Sequence, residues 1–96
     1  MSRETSIGEI LRSCQRAFLF NISGNVRSIS VKRDGKTIFF RAFFFALPTE
    51  EDREMITNAG GEVYGDFIDI DAWEVECIKS SEDDIHLDYL IFARAE

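Results

Sequence analysis

His86 is the single histidine of the chain, and Asp88 follows it at the two-residue step that sets both side chains on one face of a strand. An imidazole beside a carboxylate is the pairing of a general base with its orienting acid. Chemistry would need a nucleophile or a metal as third member, and the sequence sets no Ser, Cys or ligand group beside the pair. Asp66, Asp69 and Asp71 are the next candidates. Hard cations gather several carboxylate oxygens at about 2.0 to 2.6 Å from one point. The spacing lacks the alternating ligands, central Gly and distant Glu of a calcium loop, so these acids read as solvated carboxylates behind a helix. Glu82, Asp83 and Asp84 fall on a separate polar turn whose simplest role is solubility. Gly60, Gly61 and Gly65 are not a phosphate loop, because no Lys-Ser or Lys-Thr follows and Glu62 and Asp66 would repel a phosphate. No catalytic, cofactor or metal site is expected, and the chain reads as a binding protein rather than an enzyme.

Charge is sorted along the chain. Residues 1 to 48 carry eight basic and three acidic side chains, a balance of +5, whereas residues 49 to 96 carry three basic and fifteen acidic, a balance of −12. Such segregation creates a surface that repels nucleic acid and membranes and attracts a cationic protein.

Ninety-six residues with 45% hydrophobic content and nine Phe predict one domain, 1–96, with a core that needs no staples. No apolar run approaches the ~18 residues of a membrane span. Arg3, Glu4, Glu9 and Arg12 interrupt the N-terminal apolar stretch, unlike a signal peptide, so a cytoplasmic location is expected. Without an export signal a Cys14–Cys77 disulfide is disfavoured, and both thiols are expected free, packed as small hydrophobes.

The elements that would position these groups follow from periodicity. Residues 6 to 20 predict a helix, with Ile7, Ile10, Leu11, Cys14, Ala17 and Phe18 at three- and four-residue steps and Ser6 and Glu9 forming a capping box. Asn21 to Asn25 turns the chain. Asp34-Gly35 between two β-rich runs predicts a type I′ hairpin, with Arg33 opposite Lys36, Val31 opposite Ile38 and Ile29 opposite Phe40. One face then holds Ile29, Val31, Ile38, Phe40, Ala42 and Phe44 as the core. The other carries Ser28, Ser30, Lys32, Thr37 and Arg41, together with Phe39, Phe43 and Phe45, a heavy aromatic load for an outer face. A second helix opens at Thr49, with Glu50, Glu51 and Asp52 in its first turn, and buries Ile56, Ala59, Gly60, Val63 and Phe67. Gly60 and Gly61 offer a place for a kink or an early end. Ala72 to Lys79 reads as a strand with Trp73, Val75 and Cys77 inward, Ser80 to Asp84 as a polar turn, and Ile85 to Arg94 as the last strand, apolar on both faces from Tyr89 to Phe92. The order is helix, hairpin, helix, hairpin: an α+β domain, αββαββ, with a four-stranded, largely antiparallel sheet and both helices on one face. Strand order stays open.

Arg27, Lys32, Arg33, Lys36 and Arg41 beside Phe39 and Phe43 resemble a base-stacking sheet, but a net charge of −7 weighs against nucleic acid. The rings suit burial under the second hairpin or a self-association face better.

Pro48-Thr49-Glu50-Glu51-Asp52-Arg53-Glu54, Glu62, Asp66-Phe67, Arg41 and the closing Leu90-Ile91-Phe92-Ala93-Arg94 resemble a family of small bacterial αββαββ proteins over roughly residues 17 to 95. Its members include immunity proteins of contact-dependent growth inhibition and related polymorphic toxin systems. Where that family tends to carry Asp-Gly after the second strand and Pro after Asp-Phe, this chain has Phe45-Ala46 and Ile68, departures that suit a surface varying with the toxin. The resemblance implies a cytoplasmic, non-enzymatic inhibitor of a cognate toxin, commonly a nuclease with a cationic surface. The expected contacts are Glu50, Glu51, Glu54, Asp66, Asp69 and Asp71 for charge and Phe39, Phe43 and Phe45 as aromatic anchors. The alternative is a homodimer or adaptor that joins through those rings with Leu90 and Phe92.

Overall fold

The structure, a computed structural model, describes residues 5–19 and 22–94. Arg3, Glu4, Phe20 and Asn21, which entered the reading of the N-terminus, the first helix and the first turn, lie outside the described residues.

Helix α1 spans Ile7–Leu19, strand β1 Val26–Asp34, strand β2 Thr37–Phe44, helix α2 Glu50–Gly65, strand β3 Ala72–Lys79 and strand β4 Tyr89–Ala93. Both helix starts follow from capping. The Glu9 amide donates to the Ser6 hydroxyl at 3.2 Å while the Ser6 amide donates to the Glu9 carboxylate at 3.0 Å. At α2 the Asp52 amide donates to Thr49 Oγ1 and the Thr49 amide to the Asp52 carboxylate. Most of the stripe predicted for each helix is buried, Ile10, Cys14, Ala17 and Phe18 from α1 and Ile56, Ala59, Gly60 and Val63 from α2, whereas Ile7 and Leu11 are half-buried and Phe67, also half-buried, lies beyond the end of α2. They pack on one face of the sheet against Ile29, Val31, Ile38, Phe40, Ala42 and Phe44. Helix α2 runs through Gly60 and Gly61 to Gly65, where Gly60 serves close approach: a Cβ there would stand 2.8 Å from Cζ3 of Trp73.

The hairpin keeps its faces but not its register. Asp34 pairs with Thr37, Arg33 with Ile38 and Val31 with Phe40, so the turn residues are Gly35 and Lys36 rather than Asp34 and Gly35. Gly35, with φ 62°, is the one described residue in the left-handed region. A I′ turn would have forced Asp34 there as well, whereas a turn with positive φ at its first central position alone needs only the glycine. Because the slip is two residues in pairing, every side chain stays on its expected side.

The second hairpin does not form. The sheet order is β3-β2-β1-β4, so β3 and β4 occupy opposite edges, and the sheet is mixed: β1 pairs antiparallel with β2 and β4, while β2 and β3 pair in parallel. A parallel pair requires a crossover, which α2 supplies. The last strand is also shorter than expected, starting at Tyr89. Both edges carry features that discourage further pairing. Strand β3 presents Glu74, Glu76 and Lys79, and β4 is broken by an irregularity opposite Ile29 and Ser30, where Phe92 and Leu90 are the respective partners and Ile91 is the extra residue.

Candidate docking surface

A chain leaving β3 at one edge and entering β4 at the other must pass over β2 and β1, about 14 Å at ordinary strand spacing. Residues 80–88 make this passage on the face away from the helices, and we call them the strap. The Ser80 amide donates to the Phe44 carbonyl at 2.7 Å. Arg41 Nη1 donates to the Ile85 carbonyl at 2.9 Å, and the Leu87 amide to Ser30 Oγ at 2.9 Å. His86 stands edge-on to Phe43, with ring centroids 5.6 Å apart. The strap explains why Ser28, Ser30 and Phe43 are buried on the outer face, at 3%, 0% and 4% exposure.

The expected aromatic anchors therefore have different settings. Phe43 lies beneath the strap. Phe39 is half-buried, with the Lys32 ammonium 5.0 Å from its ring centroid, and Phe45 is half-buried with the Arg27 guanidinium 6.0 Å away. Of the rings and side chains grouped with them for self-association, Leu90 is exposed, whereas Phe92 packs against the core beside α1.

The six expected acids separate toward the two ends of α2, a helix of 16 residues and thus about 24 Å long. Glu50, Glu51 and Glu54 are exposed at its start and have no ion-pair partner among the described residues. At its far end Asp66 accepts from the Ser13 hydroxyl and meets Arg16 Nη2 at 3.4 Å, tying α2 to α1. Asp69 accepts from the amide and hydroxyl of Thr5 and faces Arg33 at 3.5 Å. The Thr5 hydroxyl, then its amide, hold the Asp69 carboxyl below its ordinary value. Asp71 is exposed. A carboxylate outside the expected set is the most enclosed: Asp52, 7% exposed, accepts from Ser23 and Asn25 as well as from its cap.

Sequence reading missed the strap and what lies beside it. A cleft of about 820 Å³ opens between the strap and the ends of β1 and β4, lined by Arg27, Ser28, Ser81, Glu82, Asp84 and Arg94 among others. Burial raises the Asp84 carboxyl, but hydrogen bonds from the Ser80 hydroxyl and Ser81 amide, with Arg27 and His86 nearby, outweigh it and leave the group below its ordinary value. The Ser28 hydroxyl is the one buried side-chain polar atom among the described residues without a hydrogen-bond partner. The signal for this cover was Phe43 itself, a large ring on the outer face, although its place opposite Ser28 emerges only in the observed register.

Among the described residues no three His, Cys, Asp or Glu side chains could hold a metal ion together, and no helix is long and apolar enough to cross a membrane. The expected thiols are both free: Cys14 is buried and Cys77 half-buried.

Two helices on one side of a mixed sheet, with a carboxylate-rich strap across the other, define a small α+β fold. The family model of the MafI2 immunity protein matches residues 7–96, and the chain belongs to that family. Membership gives it an immunity role in a polymorphic toxin system, which entails binding a cognate toxin. A comparison with curated proteins finds no match.

Proposed function

We propose that this immunity protein neutralises its toxin by non-enzymatic, stoichiometric occlusion in the cytoplasm, and that the toxin is a cationic, nucleic-acid-cleaving domain attracted by the acidic half of the chain. The supporting observation is the exposed trio Glu50, Glu51 and Glu54, unpaired among the described residues, in a second half that carries a balance of −12. Unpaired surface carboxylates contribute little to the fold, and on a binding face they accelerate encounter with a basic partner in a salt-sensitive way. The toxin encoded beside this chain, purified as a catalytically inactive domain, provides the test. Its association rate should fall steeply between low and high salt, and replacing all three glutamates by Gln should flatten that dependence. A toxin that binds equally fast at both salt concentrations, or does not bind, would remove this reading.

A further inference from the structure

We infer that the strap, with the neighbouring Leu90, is the anchoring part of the toxin interface and takes a segment of the toxin with an apolar centre and a Lys- or Arg-rich rim; this rests on the toxin-binding reading above. Ile85 and Leu90 are 71% and 52% exposed, large apolar side chains that the free protein leaves in water. They share the outer face at one place. Leu90 stands opposite Ser30 on β1, Ser30 pairs with Arg41 on β2, and Arg41 holds the Ile85 carbonyl. Around them the strap supplies Glu82, Asp83, Asp84 and Asp88 with no Lys or Arg between residues 80 and 88. The outer-face cations beside it are already engaged, Arg41 by Glu76 and the Ile85 carbonyl, Lys32 by the Phe39 ring and Arg27 by Ser80, so the complementary rim is basic. Apolar side chains ringed by charge form the usual energetic centre of an interface.

The cleft beside the strap gives a second and independent sign. Ser28 lines it with a hydroxyl that is unpartnered in a residue 3% exposed. A buried hydroxyl without a partner burdens the free protein, and because its oxygen has almost no accessible surface, a peptide group of the incoming toxin segment would relieve it only by moving the strap aside. Arg94 and Glu82 line the same cleft with opposite charge, which suits a neutral peptide group, able both to donate and to accept, better than an isolated ion.

The test measures binding of the inactive toxin domain encoded beside this chain, together with thermal unfolding of each variant. Ile85→Ala and Leu90→Ala change exposed side chains, so their melting temperatures should match the wild type while each weakens binding at least about tenfold. Ser28→Ala should raise the melting temperature and weaken binding, a combination that a purely structural serine would not produce. If the wild type binds and all three variants bind as tightly, the strap assignment is overturned while toxin binding stands. If the wild type does not bind, both readings are overturned.

Discussion

The Leu87 amide and the Ser30 hydroxyl meet at 2.9 Å across 57 positions of sequence, and this bond fastens the strap to the centre of the sheet. Ser30 is fully buried, so water cannot replace the lost acceptor. Ser30→Ala should therefore cost about 1 to 3 kcal/mol in denaturant unfolding and speed hydrogen exchange at the Leu87 amide. Unchanged stability with unchanged exchange would show that the strap is held elsewhere.

Two adjacent glycines of α2 should respond oppositely to one change. A Cβ at Gly60 would meet Trp73 at 2.8 and 3.1 Å and Val75 at 3.3 Å, whereas at Gly61 the nearest atom is 3.6 Å away. Gly60→Ala should destabilise by about 1 to 3 kcal/mol through overpacking. Gly61→Ala should stabilise by up to about 1 kcal/mol through helix propensity. Melting temperatures of the two variants that move in the same direction would contradict this packing.

Acid should unfold the protein partly through Asp52. Burial raises this carboxyl, but the Thr49 amide, Asn25 and Ser23 donate to it with the Thr49 hydroxyl close by, and the net position is below the ordinary 3.8. A folded value below the unfolded one means that the stabilisation is complete above 3.8 and disappears as pH falls through the folded value. Asp69 and Asp84 titrate in the same sense. Unfolding midpoints should stay level from about pH 7 to 5 and drop below about pH 4. Asp52→Ala should cost about 2 to 4 kcal/mol at neutral pH by removing a cap and two further bonds, and should make the acid decline shallower. An equally steep decline in that variant would assign the acid sensitivity to other groups.

The two cysteines should separate in alkylation. Burial pushes the Cys14 thiol up to about 12, while Cys77 is raised by the same cause and only half-buried. Iodoacetamide on native protein should label Cys77 slowly and Cys14 only after unfolding, as read by peptide mass. Labelling of Cys14 at the rate of Cys77 would show that α1 opens readily.

Much of the fold was legible because local periodicity is set by what each face meets. The stripes of α1 and α2, their caps at Ser6 and Thr49, and the core face from Ile29 to Phe44 all follow from it. Strand order did not, since the alternation in Ala72–Lys79 is the same whether its neighbour is β2 or β4. Ser80 to Asp84 was polar enough for a hairpin turn, and nothing in its composition separates a turn from a crossing. Phe43 was expected as a toxin anchor, on a self-association face or beneath the second hairpin; it is buried under a strap instead, so it is not available at the surface. The acids were the least legible. Asp52, Asp66 and Asp69 accept bonds from within the molecule, while Glu50, Glu51 and Glu54 face outward, and residue type alone does not distinguish these uses.

Strand β4 completes the sheet by joining Ala93 to Ser28, whereas β1 and β2 meet across a two-residue turn. Closing a long loop carries an entropic cost that a short one avoids, so the hairpin is favoured to assemble early and the far edge late. A chain stopped before β4 would thus retain the β1–β2 hairpin but lack Leu90 and the edge strand into which the strap leads. If the strap anchors the toxin as proposed, protection would arrive abruptly once β4 has docked, rather than growing in proportion to how much of the chain has been synthesised.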